Sequence, residues 1–92
     1  MFGLSDSEIH TITDILRSSG VSRGVVFGSR AKGNYKKGSD VDIAIVGDEQ
    51  KVSRILNEEC NLPYFFDVIN IEKINNQNLI DHIHRVGKGL EI

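Results

Sequence analysis

Gly28-Ser29 and, after ten intervening residues, Asp40-Val41-Asp42 are the positions of this chain whose types and spacing suit chemistry. A glycine lets the backbone approach a phosphate closely, and a helix starting just after it offers free N–H donors, to which Ser29 adds a hydroxyl. Asp40 and Asp42 stand two apart on an expected strand, so their side chains share a face with Cα atoms roughly 7 Å apart. At an effective dielectric of about 20 their repulsion is on the order of 2 kcal/mol. A structural strand has no reason to accept that, whereas a divalent cation reverses it. Magnesium suits the pair, because it is held by one or two carboxylates while phosphates and water complete its octahedron.

Between the two motifs lie Arg30, Lys32, Lys36 and Lys37 with no acid among them, which makes this loop a place for anions. Arg30 and Lys32 are candidate nucleotide-binding cations, with an ordinary solvated role equally open for each. Familiar phosphate loops do not describe the segment. Gly28 and Gly33 have the Walker spacing, but Asn34 and Tyr35 stand where that loop needs Lys and Ser or Thr, and no GxGxxG occurs. A third carboxylate, Asp67, interrupts the run Tyr64-Phe65-Phe66-Asp67-Val68-Ile69. Buried there without a partner it would be destabilising by several kcal/mol, so a partner is expected. If its strand lies beside that of Asp40 and Asp42, three carboxylates share one face, the number a two-metal phosphoryl-transfer site uses.

The elements that must position these residues are legible in the apolar spacing. Ser5 and Glu8 have capping-box spacing, Ile9, Ile12, Ile15 and Leu16 follow at helical intervals, and Ser18-Ser19-Gly20 ends a helix over about Asp6 to Ser18. Val25 to Phe27 reads as a strand buried on both faces, followed by a brief helix from Ser29 and a loop from Gly33 to Ser39. A second strand is expected from Asp40 to Val46, a helix from Glu49 to Cys60, and a third strand from Tyr64 to Asn70. Leu79, Ile80, Ile83 and Val86 mark a last helix capped by Gly87, with Leu90-Glu91-Ile92 as an extended tail. The short link from strand one to strand two favours antiparallel pairing, and the helical link from strand two to strand three favours a parallel crossover. The expected fold class is α+β with an α/β-type crossover, in the order α-β-α-β-α-β-α, a small mixed three-stranded sheet packed against helices.

With 92 residues, one domain spanning 1–92 is expected, small enough that a partner completes any substrate site. A net charge of −2 and a pI near 5.8 argue against general affinity for nucleic acid. The single cysteine, Cys60, excludes an internal disulfide. With no apolar run of about 18 residues, it points to a cytoplasmic chain and no membrane association. His82 and His84 diverge on a helix, and with His10 and Cys60 they read as ordinary residues rather than metal ligands. The Tyr64-Phe65-Phe66 cluster reads as core.

The pattern of GS, ten residues, DxD and a later Asp resembles the nucleotidyltransferase superfamily that includes DNA polymerase β and kanamycin nucleotidyltransferase. The GSRAKG start, the SDVDIAI strand, the short length and the ending His84-Arg85-Val86-Gly87 look most like the minimal nucleotidyltransferases. The resemblance implies transfer of a nucleoside monophosphate, usually AMP, from ATP or another nucleoside triphosphate to a hydroxyl. It also implies magnesium, two ions, and release of pyrophosphate. By that analogy Asp40 and Asp42 ligate both metals, Asp67 ligates the catalytic one and takes the hydroxyl proton, and Gly28 and Ser29 hold the triphosphate. Many such chains resemble antitoxins that adenylylate a tyrosine of a HEPN-type toxin, which implies a hetero-oligomer with that partner. Two alternatives stand beside this one: neutralisation of a partner by occlusion, and transfer to RNA or a small alcohol.

Overall fold

A capping box opens the first helix, α1 (Asp6–Ser18): the Ser5 hydroxyl accepts from the Glu8 N–H at 3.1 Å while the Glu8 carboxylate accepts from the Ser5 N–H at 2.9 Å. Two free donors at the helix start are thereby satisfied. The computed structural model describes residues 1–92. After α1 come β1 (Arg23–Phe27), the short helix α2 (Gly28–Lys32) and β2 (Val41–Val46). Next is α3 (Glu49–Arg54), prolonged by a π-helical turn at Ile55–Glu59. Then follow β3 (Phe66–Asn70), a 3-10 turn at Ile71–Lys73, α4 (Gln77–Val86) and β4 (Lys88–Leu90).

The sheet order is β3-β2-β1-β4. As the connection lengths predict, β1 and β2 are antiparallel and β2 and β3 parallel. The sheet has a fourth strand where only a tail was expected: Lys88 to Leu90 pair antiparallel with Val26 to Gly24 of β1. Gly87 explains how. It caps α4 as expected, but in an extended conformation with φ −63° and ψ 142° rather than the left-handed one common at such caps. It also lets the end of α4 lie against β1, where a Cβ would come 2.6 Å from Val25 Cγ1, and the chain runs on directly into β4. Two strands also start later than expected, β2 at Val41 and β3 at Phe66. Of the aromatic cluster, Phe66 is core whereas Phe65 is exposed.

Alternation along the strands builds two apolar layers. On one face Val26, Val41, Ile43, Ile45 and Phe66 pack with Ile12 and Leu16 of α1 and with Val52 and Leu56. On the other, Val25, Phe27 and Ala44 pack with Ile83 of α4, flanked by Ile69, Leu79 and Val86. No helix is long and apolar enough to cross a membrane.

Candidate active site

Strand register decides which carboxylates meet. Asp42 stands opposite Asp67 in the parallel pair and opposite Phe27 in the antiparallel pair, and strands lie about 4.8 Å apart. Asp42 and Asp67 are therefore side by side on the face that α4 covers, with Asp40 one residue before β2. Burial raises the pKa of Asp42, and the charges of Asp67 and then Asp40 raise it further. All three carboxylates thus act on one locus, and none of them forms an ion pair with a basic side chain. Asp67 itself is exposed. The expectation of a charge buried in an apolar run is overturned, because β3 is an edge strand whose pairing with β2 begins only one residue before Asp67, at Phe66.

Gly28 brings the second motif to the same place. Its φ is +72°, the left-handed region in which glycine alone is unstrained, and it turns the end of β1 sharply into α2. A Cβ at Gly28 would lie 3.0 Å from Asp42 Cγ and closer still to Oδ2. Only a glycine leaves room for the Asp42 carboxylate there. The helix that follows has no side-chain cap, so the first amides of α2 and the half-buried Ser29 remain free for an acceptor. Lys32 is exposed in its last turn.

Arg30 departs from its expected role at the nucleotide. It is only 3 % exposed and its guanidinium is engaged inside the protein. Nε and Nη2 both donate to the Ser39 carbonyl, at 3.0 and 2.8 Å, and Nη1 donates to the Phe2 carbonyl at 2.8 Å. The rings of Tyr64 and Tyr35 lie against it at 4.9 and 5.3 Å. With three of its five donors on main-chain carbonyls and two tyrosine rings beside it, the guanidinium is built into the interior rather than presented to solvent.

Asn57, which nothing in the sequence singled out, supports Asp67. Its side-chain amide donates to the Phe66 carbonyl at 2.9 Å and accepts from the Phe66 N–H at 2.8 Å. The Phe65 carbonyl accepts from the Val41 N–H on the inner side, so the main-chain N–H and C=O of Phe66 point to the outer edge, where Asn57 takes the place of a neighbouring strand. His82 is half-buried, its ring edge-on to Phe27 with centroids 6.2 Å apart.

The donor set fits a divalent cation in one respect and not in another. Three acceptor-only groups act on one locus without a compensating cation. Their side chains do not, however, converge into a closed group of three or more metal-ligating residues. Such an arrangement suits an ion whose shell is completed by substrate phosphates and water. None of the candidate residues lines a cavity. The groove of about 550 Å³ bordered by Ser22, Val25, Ile74, Ile83 and Leu90 lies toward the opposite end of the sheet. The carboxylates and the Gly28-Ser29 turn form an open surface.

Comparison with known proteins follows the same lines. The family described as Polymerase beta, Nucleotidyltransferase matches residues 10–90. Among solved structures, a toxin-antitoxin with AMP-PNP has a TM-score of 0.75 at 21% identity, over 90% of this chain and 72% of that chain. A variant of the toxin-antitoxin MntA-HpeT with two aspartates changed to glutamate has a TM-score of 0.71 at 17% identity, over 90% of this chain and 71% of that one. A tyrosine-to-alanine variant of the same toxin-antitoxin gives 0.71 at 21%, over 89% and 70%. At these identities the likeness is one of fold. A search of curated proteins finds no match.

Proposed function

The chain belongs to the polymerase β nucleotidyltransferase family, and from that premise we propose that it transfers AMP from ATP to a hydroxyl, the acceptor being a tyrosine of a HEPN-type toxin. The observation that carries this reading is the contact of the Gly28 turn with the Asp42 carboxylate, which sets a phosphate-holding backbone against a carboxylate cluster. An AMP-PNP-bound toxin-antitoxin among the structures of the same fold supports it.

In this reading Gly28, Ser29 and the amides of α2 hold the triphosphate, and Lys32 reaches a phosphate from the exposed end of α2. Asp40, Asp42 and Asp67 would hold magnesium, two ions, which supplies charge neutralisation at the triphosphate and an acidified acceptor hydroxyl. The acceptor oxygen bonds to the α-phosphorus, the bond from that phosphorus to the pyrophosphate oxygen breaks, and pyrophosphate leaves. The hydroxyl proton passes to Asp67, whose exposure lets it exchange with solvent. An open site, rather than a pocket, suits an acceptor carried on a protein surface. The chain then acts as one domain in the cytoplasm, as a hetero-oligomer with its toxin.

The test incubates α-labelled ATP and magnesium with the chain and a HEPN-type toxin. Label is expected on a toxin tyrosine, and it should fall to background with the double variant Asp40→Asn, Asp42→Asn. Undiminished transfer by that variant would overturn the reading.

A further inference from the structure

Arg30 presents an anomaly that the proposed reaction does not use: a buried cation without an ion pair. Carbonyls and tyrosine rings satisfy it instead, and the carbonyls belong to two segments far apart in sequence. One is Ser39, immediately before Asp40. That residue is fixed on every side, since its N–H donates to the Lys36 carbonyl at 3.0 Å, its hydroxyl accepts from the Lys36 N–H at 2.8 Å, and its carbonyl takes two bonds from Arg30. The other is Phe2, in a turn closed by the Leu4 N–H on the Met1 carbonyl at 2.9 Å. Phe2 and Gly3 have φ of 61° and 72°, the left-handed values a type I′ turn requires at both central positions. Phenylalanine is disfavoured in that region and keeps it only where its surroundings impose it. Here the Phe2 ring is buried in the core and its carbonyl is held by Arg30.

We propose that Arg30 is a positioning residue for Asp40 and Asp42, and that the Met1–Leu4 turn acts on those carboxylates through it. A pair of hydrogen bonds to the carbonyl preceding Asp40 fixes the peptide from which β2 and its DxD begin. Arg30 also lies within the short helix that starts at Gly28-Ser29, so one guanidinium sets the distance between the phosphate turn and the carboxylates. The Met1–Leu4 turn and the two tyrosines complete the socket that holds the guanidinium in place. The catalytic meaning of this clamp rests on the nucleotidyl transfer proposed above; its mechanical part does not.

Two variants probe it from opposite ends. Arg30→Lys keeps the charge but cannot make paired bonds to Ser39. Gly3→Ala leaves Arg30 intact, but an alanine is strained at φ +72° and its Cβ would come 2.7 Å from Tyr35 Cζ and 3.0 Å from Arg30 Nη1. Three readouts apply to each: amide exchange of the segment 36–42 without ligand, Mn²⁺ affinity in the presence of AMP-PNP, and kcat with KM for ATP. In both variants exchange in 36–42 is expected to accelerate while Ile43 to Val46 stay protected. Mn²⁺ affinity and kcat should each fall about tenfold or more, as when the support of a metal ligand is removed, with KM for ATP within about threefold of the parent. A raised KM with unchanged kcat would make Arg30 a phosphate contact and overturn the proposal. So would uniform loss of protection with Mn²⁺ affinity and kcat per folded molecule unchanged, since that is a merely structural role. If the parent chain transfers no nucleotide, the function proposed above fails, and the exchange and Mn²⁺ readouts still decide the role of Arg30.

Discussion

Asp42 is where stability and the proposed chemistry pull apart. Its pKa is raised above the ordinary 3.8 by burial first, then by Asp67 and Asp40. An acid raised in this way holds its proton more tightly folded than unfolded. The folded protein therefore loses stability as pH climbs from the ordinary value through the raised one, and the loss is complete above it. Asp42→Asn removes that penalty, so this variant should be more stable at neutral pH while losing transfer. For a partly exposed cross-strand pair of like charges, discounted for screening, the gain is several tenths to about 1 kcal/mol. In a chain of this size 1 kcal/mol is roughly 4–8 °C in Tm. Thermal unfolding at low salt checks it; a variant no more stable than the parent would mean that the carboxylates do not burden the fold. The sequence pointed to Asp67 for a reason that the structure removes. The apolar run suggested a buried charge, yet the residue is exposed, and what joins it to Asp42 is strand register. The partners of Arg30 were not legible for a related reason: they are main-chain carbonyls, which every residue has and which leave no mark in side-chain spacing.

Among the elements, those written in local chemistry were legible. The Ser5–Glu8 box opens α1 where its spacing says, and the glycine between an apolar run and Ser29 marks the end of β1. Elements that depend on distant partners were not: β4 exists because β1 offers an edge, and Lys88 and Gly89, both of low strand propensity, gave no sign of pairing ahead of the extended tail expected from Leu90. The π-helical turn belongs with these, since it presents Asn57 to the outer edge of β3 and such turns are often found beside functional sites. Asn57→Ala leaves both main-chain groups of Phe66 without their partner. An expected loss of about 1–3 kcal/mol follows from the unmade bonds, to be read as a lower urea midpoint at unchanged slope. Because the next residue is Asp67, transfer by the folded fraction should fall as well. Asn57→Asp keeps the acceptor for the Phe66 N–H but lacks the donor, so it should lie between alanine and the parent. An alanine variant as stable as the parent would remove Asn57 from this role.

At the scale of the whole molecule, the order β3-β2-β1-β4 gathers both motifs at one end of the sheet, with apolar layers on its two faces. The carboxylates sit beyond those layers without compensating cations, so they repel one another, and a bound cation would relieve that repulsion while bridging the carboxylates to a triphosphate. Ligand binding should therefore stabilise the entire fold. A ligand present at about a hundred times its Kd adds roughly 2.7 kcal/mol, on the order of 10 °C in Tm for a chain of this length. The expectation is a synergistic shift: magnesium alone and AMP-PNP alone each raise Tm slightly, and both together raise it by more than the sum. The Asp40→Asn, Asp42→Asn variant should start from a higher Tm and show no synergy, because the repulsion and the site disappear with the same two charges. Equal shifts in parent and variant would place the nucleotide elsewhere on the protein and detach the carboxylates from its binding.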